Sequence, residues 1–194
     1  PSIKRENIFM SIGRIQEQKG QLETLLFLNY FKKIENNFKC YIVGGPSGSS
    51  GKDYLLELKE SVQELDLESH VEFLGNLPQI NIRDLLNRSK LLIHTSRYET
   101  FGLVAIEANA IGVPVFTTNN GSMKEIITNK ENGYLAEDIK DKNANILIKN
   151  LTNNNQYFEE VMTICMQKSK DYSWENTVNS LLKLYQEAKF SLKN

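Results

Sequence analysis

Two carboxylates, Glu99 and Glu107, stand with seven residues between them, and a Phe101-Gly102 pair follows the first. Glu99 belongs to a polar loop, His94 to Thr100. Glu107 belongs to the run Leu103 to Ala110, whose apolar spacing is helical. If Gly102 and Leu103 open that helix, their free N–H groups and the helix dipole make a seat for a phosphate. Gly102 has no Cβ to obstruct the approach. The same residues also read as two exposed acids, Glu99 merely capping the helix. Arg14 and Lys19 are the matching cations. Arg14 ends the first apolar run, and Lys19 stands just before Gly20. Together they could neutralise a diphosphate, Arg14 as a fork and Lys19 as a point charge; alternatively they are ordinary surface cations. His94 is either a structural hydrogen-bonder or a catalyst.

Other patterns exclude chemistry. The stretch Gly44 to Gly51 looks like a P-loop, but Lys52 is followed by Asp53 rather than Ser or Thr. No GxGxxG follows the first apolar run, so the usual dinucleotide fingerprint is missing. These glycines either let backbone approach a ligand or make a flexible loop, Ser47 to Gly51. Cys40 and Cys165 sit in apolar or helical contexts and read as reduced core residues. With His70 and His94 they form no usual metal spacing, so no metal site is expected. Trp174 reads as a packing anchor, and Ser173 as the cap of a last helix.

The elements that must position these residues alternate. Apolar runs at 8–12, 39–43, 71–74, 90–95, 115–118 and 133–135 read as strands, and helical spacing appears at about 21–35, 55–67, 82–86, 103–110 and 124–127. That alternation predicts an α/β protein with a doubly wound parallel sheet, Rossmann-like. Such sheets bind ligands beyond the C-terminal ends of their strands. The stops at Gly13, Gly44-Gly45 and Gly75, and the loop from His94 to Gly102, all fall on that edge. The α/β core is expected over about 8–139, with a more polar, helical C-terminal segment over 140–194 and a loop at Asn153 to Asn155. No fixed-period repeat is visible.

The 194 residues suit one domain, with 40% hydrophobic and 24% charged residues. A net charge of −1 gives no basis for nonspecific nucleic-acid binding. No apolar run approaches the ~18 residues a membrane span needs, and no signal peptide is seen. A chain that begins on Pro1 and enters a strand within a few residues reads as part of a longer protein.

As an ordered set, these segments resemble the C-terminal, nucleotide-sugar-binding domain of retaining GT-B glycosyltransferases, especially glycosyltransferase family 4. Gly13-Arg14 with Lys19-Gly20 resembles the family's Gly-Arg…Lys-Gly segment, and Ile42-Val43-Gly44-Gly45 its donor-loop glycines. Val71 to Gly75 resembles its Val-x-Phe-x-Gly strand, and Glu99 through Glu107-Ala108 its E-x7-E signature. Gly112 to Val115, Glu125 to Ile127 with Asn132-Gly133, and Tyr172 to Glu175 follow in family order. The resemblance implies that Arg14 and Lys19 hold the donor diphosphate. Gly102 and Leu103 would offer N–H groups to a phosphate, and Glu107 would take the ribose hydroxyls. Glu99 would face the transferred sugar, with Gly13, Gly45 and Phe101 completing the donor site.

The implied activity is hexosyl or glycosyl transfer from a nucleotide-diphosphate sugar, with UDP the family's commonest carrier, to a glycan, lipid-linked or small-molecule acceptor. Polysaccharide biosynthesis would be one setting. The nucleotide-sugar is a co-substrate, so no cofactor is expected. An N-terminal domain that binds acceptor is absent from this chain, which should therefore be inactive alone. The expected location is the cytoplasm, either free or peripheral to a membrane through the absent half. Departures from the family pattern are Thr95 for Pro, Thr100 for a small residue, Asn109 for Met and Ser122 for Gly. A sugar-nucleotide epimerase of the same architecture and a non-catalytic nucleotide-binding domain are the alternatives.

Overall fold

The structure is a computed structural model that describes residues 5–191. Pro1 and the end of the 140–194 segment lie outside the described residues. In chain order the elements are β1 (Ile8–Ile12), α1 (Gln21–Phe31), β2 (Lys39–Val43), α2 (Gly48–Glu64), β3 (Val71–Gly75) and α3 (Gln79–Arg88). Then come β4 (Leu91–His94), α4 (Leu103–Ala110), β5 (Val115–Thr118), α5 (Met123–Ile126) and β6 (Gly133–Ala136). Three helices follow, α6 (Lys142–Asn153), α7 (Asn155–Lys168) and α8 (Trp174–Ser191). Tight 3₁₀ turns at Glu17–Lys19 and Ser169–Tyr172 precede α1 and α8.

The strands form one sheet in the order β3-β2-β1-β4-β5-β6, every neighbouring pair parallel. This is the Rossmann-like order, and its direction reverses between β1 and β4, which pair through Phe9↔Leu91 and Met10↔Leu92. A crevice opens at such a switch point because the loops after the two strands turn to opposite faces.

Side chains alternate across the sheet and fill a core on each face. On one face Phe9 stacks on Phe38 at 5.2 Å and Phe27 on Phe116 at 4.2 Å, with α1, α2 and α6 covering them. On the other, Ile8, Met10, Leu92 and Val115 pack against Ala105, Ala108 and Met123 of α4 and α5. Cys40 and Cys165 are free and buried, as expected, and burial pushes each thiol up to about 12.

Three local expectations change. Ser47 to Gly51 is not a flexible loop: α2 begins at Gly48, and Gly51 lies so close to Ile15 that a Cβ would stand 2.7 Å from its carbonyl oxygen. A glycine at that point lets the helix settle on the loop after β1. The asparagine loop shrinks to Asn154, whose side chain accepts the Tyr157 N–H at 3.0 Å and starts α7 directly. Trp174 is 85% exposed and anchors nothing among the described residues, although Ser173 does cap α8 by accepting the Asn176 N–H.

Candidate functional site

The loop after β1 is fastened before it reaches the site. Gly13 donates to Val43 O at 2.9 Å and Ile15 to Gly45 O at 2.8 Å. Gly44, at φ 137°, lies so tightly against Gly13 that any side chain would overlap its carbonyl. Gln21 Nε2 donates to Arg14 O at 2.8 Å, fixing the Arg14 backbone while its side chain stays exposed. Among the described residues the Arg14 guanidinium makes no ion pair.

Lys19 reaches the site because the 3₁₀ turn carrying it is bonded to the loop after β4. Thr95 Oγ1 donates to Gly20 O at 2.6 Å and meets Thr24 Oγ1 at 2.8 Å. Ser96 Oγ and the Arg97 N–H both donate to Gln18 O. Gly20, at φ 69°, leaves no room for a Cβ beside Thr95 O. The outcome is a contact across 80 residues, Lys19 Nζ to Glu99 Oε2 at 2.9 Å. His94 Nε2 reaches the same oxygen at 3.2 Å. The His94 and Lys19 hydrogen bonds hold the Glu99 carboxyl well below the usual carboxylate range, against the desolvation that pushes it up.

The Glu99 backbone is gripped from Ser122, the N-cap residue that starts α5. Its carbonyl accepts from the Ser122 N–H at 3.2 Å and from Ser122 Oγ at 3.4 Å. Gly102, at φ 79°, then turns the chain into α4, and a Cβ there would overlap Met123 Cε. The Ala105 and Ile106 N–H groups bond back to Gly102 O. Among the described residues the Leu103 and Val104 N–H groups have no hydrogen-bond partner, and both residues line the cleft.

These pieces enclose a cleft of about 300 Å³ lined by Ile12, Gly13, Arg14, Lys19, His94, Glu99, Thr100, Phe101, Gly102, Leu103 and Val104. It opens beyond the C-terminal ends of β1 and β4, at the switch point. Gly13, Arg14, Lys19, Glu99, Phe101, Gly102 and Leu103, singled out from the sequence, all line it. Glu107 does not line it; it is exposed one turn beyond Leu103 on the same face of α4, at the rim. Gly45 lies behind the wall, where a Cβ would stand 2.6 Å from Asn76 Nδ2. Thr95, Ser96 and Ser122 hold the walls together and were not singled out for the site. Only Thr95 and Ser122 carried a signal, as departures from a family pattern. A second cleft of about 290 Å³, with Tyr98, Ser122, Glu125 and Tyr172, shares the Glu99 to Phe101 wall. Among the described residues no group of three or more His, Cys, Asp or Glu is arranged to hold a metal ion. No helix among them is long and apolar enough to cross a membrane.

Residues 1–167 match the family model described as glycosyl transferases group 1. The chain is 30% identical over 188 residues to the D-inositol 3-phosphate glycosyltransferase of Rhodococcus jostii, covering 95% of this chain and 41% of that protein. It is 32% identical over 145 residues to a Dictyostelium discoideum protein named GDP-Man:Man(3)GlcNAc(2)-PP-Dol alpha-1,2-mannosyltransferase, covering 71% of this chain and 29% of that one. The chain thus spans less than half the length of these curated relatives. Among solved structures, Anabaena HepE in complex with UDP superposes with a TM-score of 0.81 at 22% identity, covering 95% of this chain and 49% of that one. The sucrose-phosphate synthase of Thermosynechococcus elongatus superposes at 0.80 with 24% identity, covering 96% and 46%. Both likenesses establish the fold.

Proposed function

Because this chain belongs to the glycosyl transferases group 1 family, we propose that it is the donor-binding domain of a retaining, family 4 type glycosyltransferase that takes a UDP-sugar. The carrying observation is the convergence of Arg14, Lys19 and the open N-terminus of α4 on one cleft beside Glu99. Departure of a nucleoside diphosphate builds negative charge on the β-phosphate and positive charge on the sugar. Arg14, Lys19 and the Leu103 and Val104 N–H groups lie within reach of the first, and Glu99 of the second. With that counter-charge supplied by protein groups, the reading needs no metal ion. Gly102 and Gly13 let the phosphates approach the backbone, Phe101 and Leu103 flank the mouth, and Glu107 at the rim takes the ribose hydroxyls. Gly45 supports the Gly13 loop from behind.

On this reading residues 1–194 form one donor domain, with the helical segment from 140 appended, and the whole protein holds its acceptor mainly on a further domain. Acceptors in this class are glycans, lipid-linked sugars or small molecules. A HepE structure in complex with UDP-glucose supports uracil as the base. The Dictyostelium relative is named for GDP-mannose and makes guanine the competitor. Calorimetric titration with UDP and GDP tests the assignment. Tighter binding of UDP is expected, and Lys19→Ala should weaken it about ten- to a hundredfold, the worth of one charge-assisted hydrogen bond. Glu107→Ala should also weaken it. Unchanged affinity in both variants overturns the site, and tighter GDP binding overturns the base.

A further inference from the structure

One carboxylate oxygen carries most of the polar contacts in the cleft. Glu99 Oε2 accepts from Lys19 Nζ at 2.9 Å and His94 Nε2 at 3.2 Å, whereas among the described residues Oε1 takes only the Thr100 N–H at 3.2 Å. The side chains are 6% (His94), 12% (Glu99) and 23% (Lys19) exposed. His94 contacts Glu99, and the other charged groups lining the same cleft are Lys19 and Arg14. From the packed elements, β5 sets Thr117 beside it and α4 brings Val104, neither of which titrates there.

Without ligand, Lys19 and His94 share the one Glu99 oxygen. A diphosphate seated between Arg14 and Lys19 changes that balance. It adds at least two negative charges and competes for the Lys19 ammonium, a mobile point charge on a flexible stem. Glu99 then keeps only His94, in a cleft with excess negative charge. We propose that His94 is a positioning residue for Glu99: donor binding moves Lys19 from Glu99 to the diphosphate, and the His94 ring takes a proton from solvent to hold the carboxylate in place. The proton goes to Nδ1, the ring nitrogen that does not face Glu99. The inference rests on the donor reading above and adds a coupling between donor and proton.

The chain has two histidines, so imidazole NMR reads His94 directly. His70, bonded to Ser69 and Asn36 at the opposite edge of the sheet, is the internal reference. At fixed pH near neutrality, saturating UDP should raise the ratio of protonated to neutral His94 about tenfold or more, the size of effect a new uncompensated charge exerts at this range. His70 should not change. Lys19→Met should produce the same rise without UDP. In His94→Gln, which keeps a donor for Glu99 but cannot titrate, the tightening of UDP binding on mild acidification should be smaller than in the native protein. If UDP binds and His94 keeps its ratio, the proposal is overturned while the donor reading stands. If UDP does not bind, the donor reading itself fails and takes the coupling with it.

Discussion

At the scale of single residues, Glu99 ties the site to the stability of the fold. Its carboxyl is held below the usual range by hydrogen bonds from His94 and Lys19. A carboxyl whose folded value lies below its unfolded value, about 4.3, stabilises the native state at pH above that value. The contribution is lost progressively as pH falls below it toward the folded value. Glu99→Gln should therefore be less stable than the native protein at pH 7. The gap should narrow on acidification to about pH 3, as unfolded Glu99 becomes protonated. Denaturant unfolding at the two pH values measures it, and a gap of constant size would show that the charge of Glu99 plays no part. The same residue shows what a sequence can and cannot reveal. The type and spacing of Glu99, Gly102 and Leu103 were legible because a loop-to-helix junction is local. Partners such as Lys19, 80 positions away, become neighbours only through the Thr95 and Ser96 bonds to Gly20 and Gln18.

Among the elements, α4 matters most, because the phosphate seat proposed for it lies at its first turn. Its far end is pinned by a buried amide pair. Asn132 Nδ2 donates to Asn109 Oδ1 at 2.6 Å and to Ile126 O at 2.9 Å. Asn109 Nδ2 donates in return to Val113 O and Asn132 O, and Asn132 Oδ1 accepts the Thr128 N–H. Asn109, a departure from the family's Met, thus has a structural reason: it and Asn132 satisfy each other while tying α4 to α5 and β6. Replacing Asn109 by Met would strip Asn132 Nδ2 of one acceptor in a closed interior, at an expected loss of about 1–3 kcal/mol. Arg5 secures the same end, donating to Leu86 O in the last turn of α3, to Ser89 O just after it and to Ile111 O after α4, while lying over the Phe158 ring. Arg5→Met should cost about 2–3 kcal/mol, since several charge-assisted bonds to carbonyls are lost at once. Chemical denaturation of each variant checks both values. Element existence was legible throughout, because strands and helices have distinct periods. Misread ends, as at Gly48 and Asn154, follow from glycine and asparagine, which suit a loop and a helix start equally well.

For the whole molecule, the parallel architecture could be read from alternating periods, and the order β3-β2-β1-β4-β5-β6 could not, since nothing local says which strands pair. The last helix stands apart from this core. Trp174, Val178, Leu181, Leu182 and Tyr185 of α8 are all exposed, so the helix buries little on the sheet domain. A chain ending at residue 172 should keep a melting temperature within about 2 °C of the intact chain, as expected where few buried contacts are removed. Thermal unfolding of the two chains decides this, and a large drop would mean that α8 supports the core. The pairing of β1 with β4 has a consequence in time. A cleft at that seam cannot exist while only β1, β2 and β3 have been made, for its second wall lies some eighty residues downstream. Sequence-distant closure of this kind is slow and arrives late in folding. Nucleotide binding would then appear only after the second half of the sheet has docked, and a growing chain would stay blind to its ligand until then.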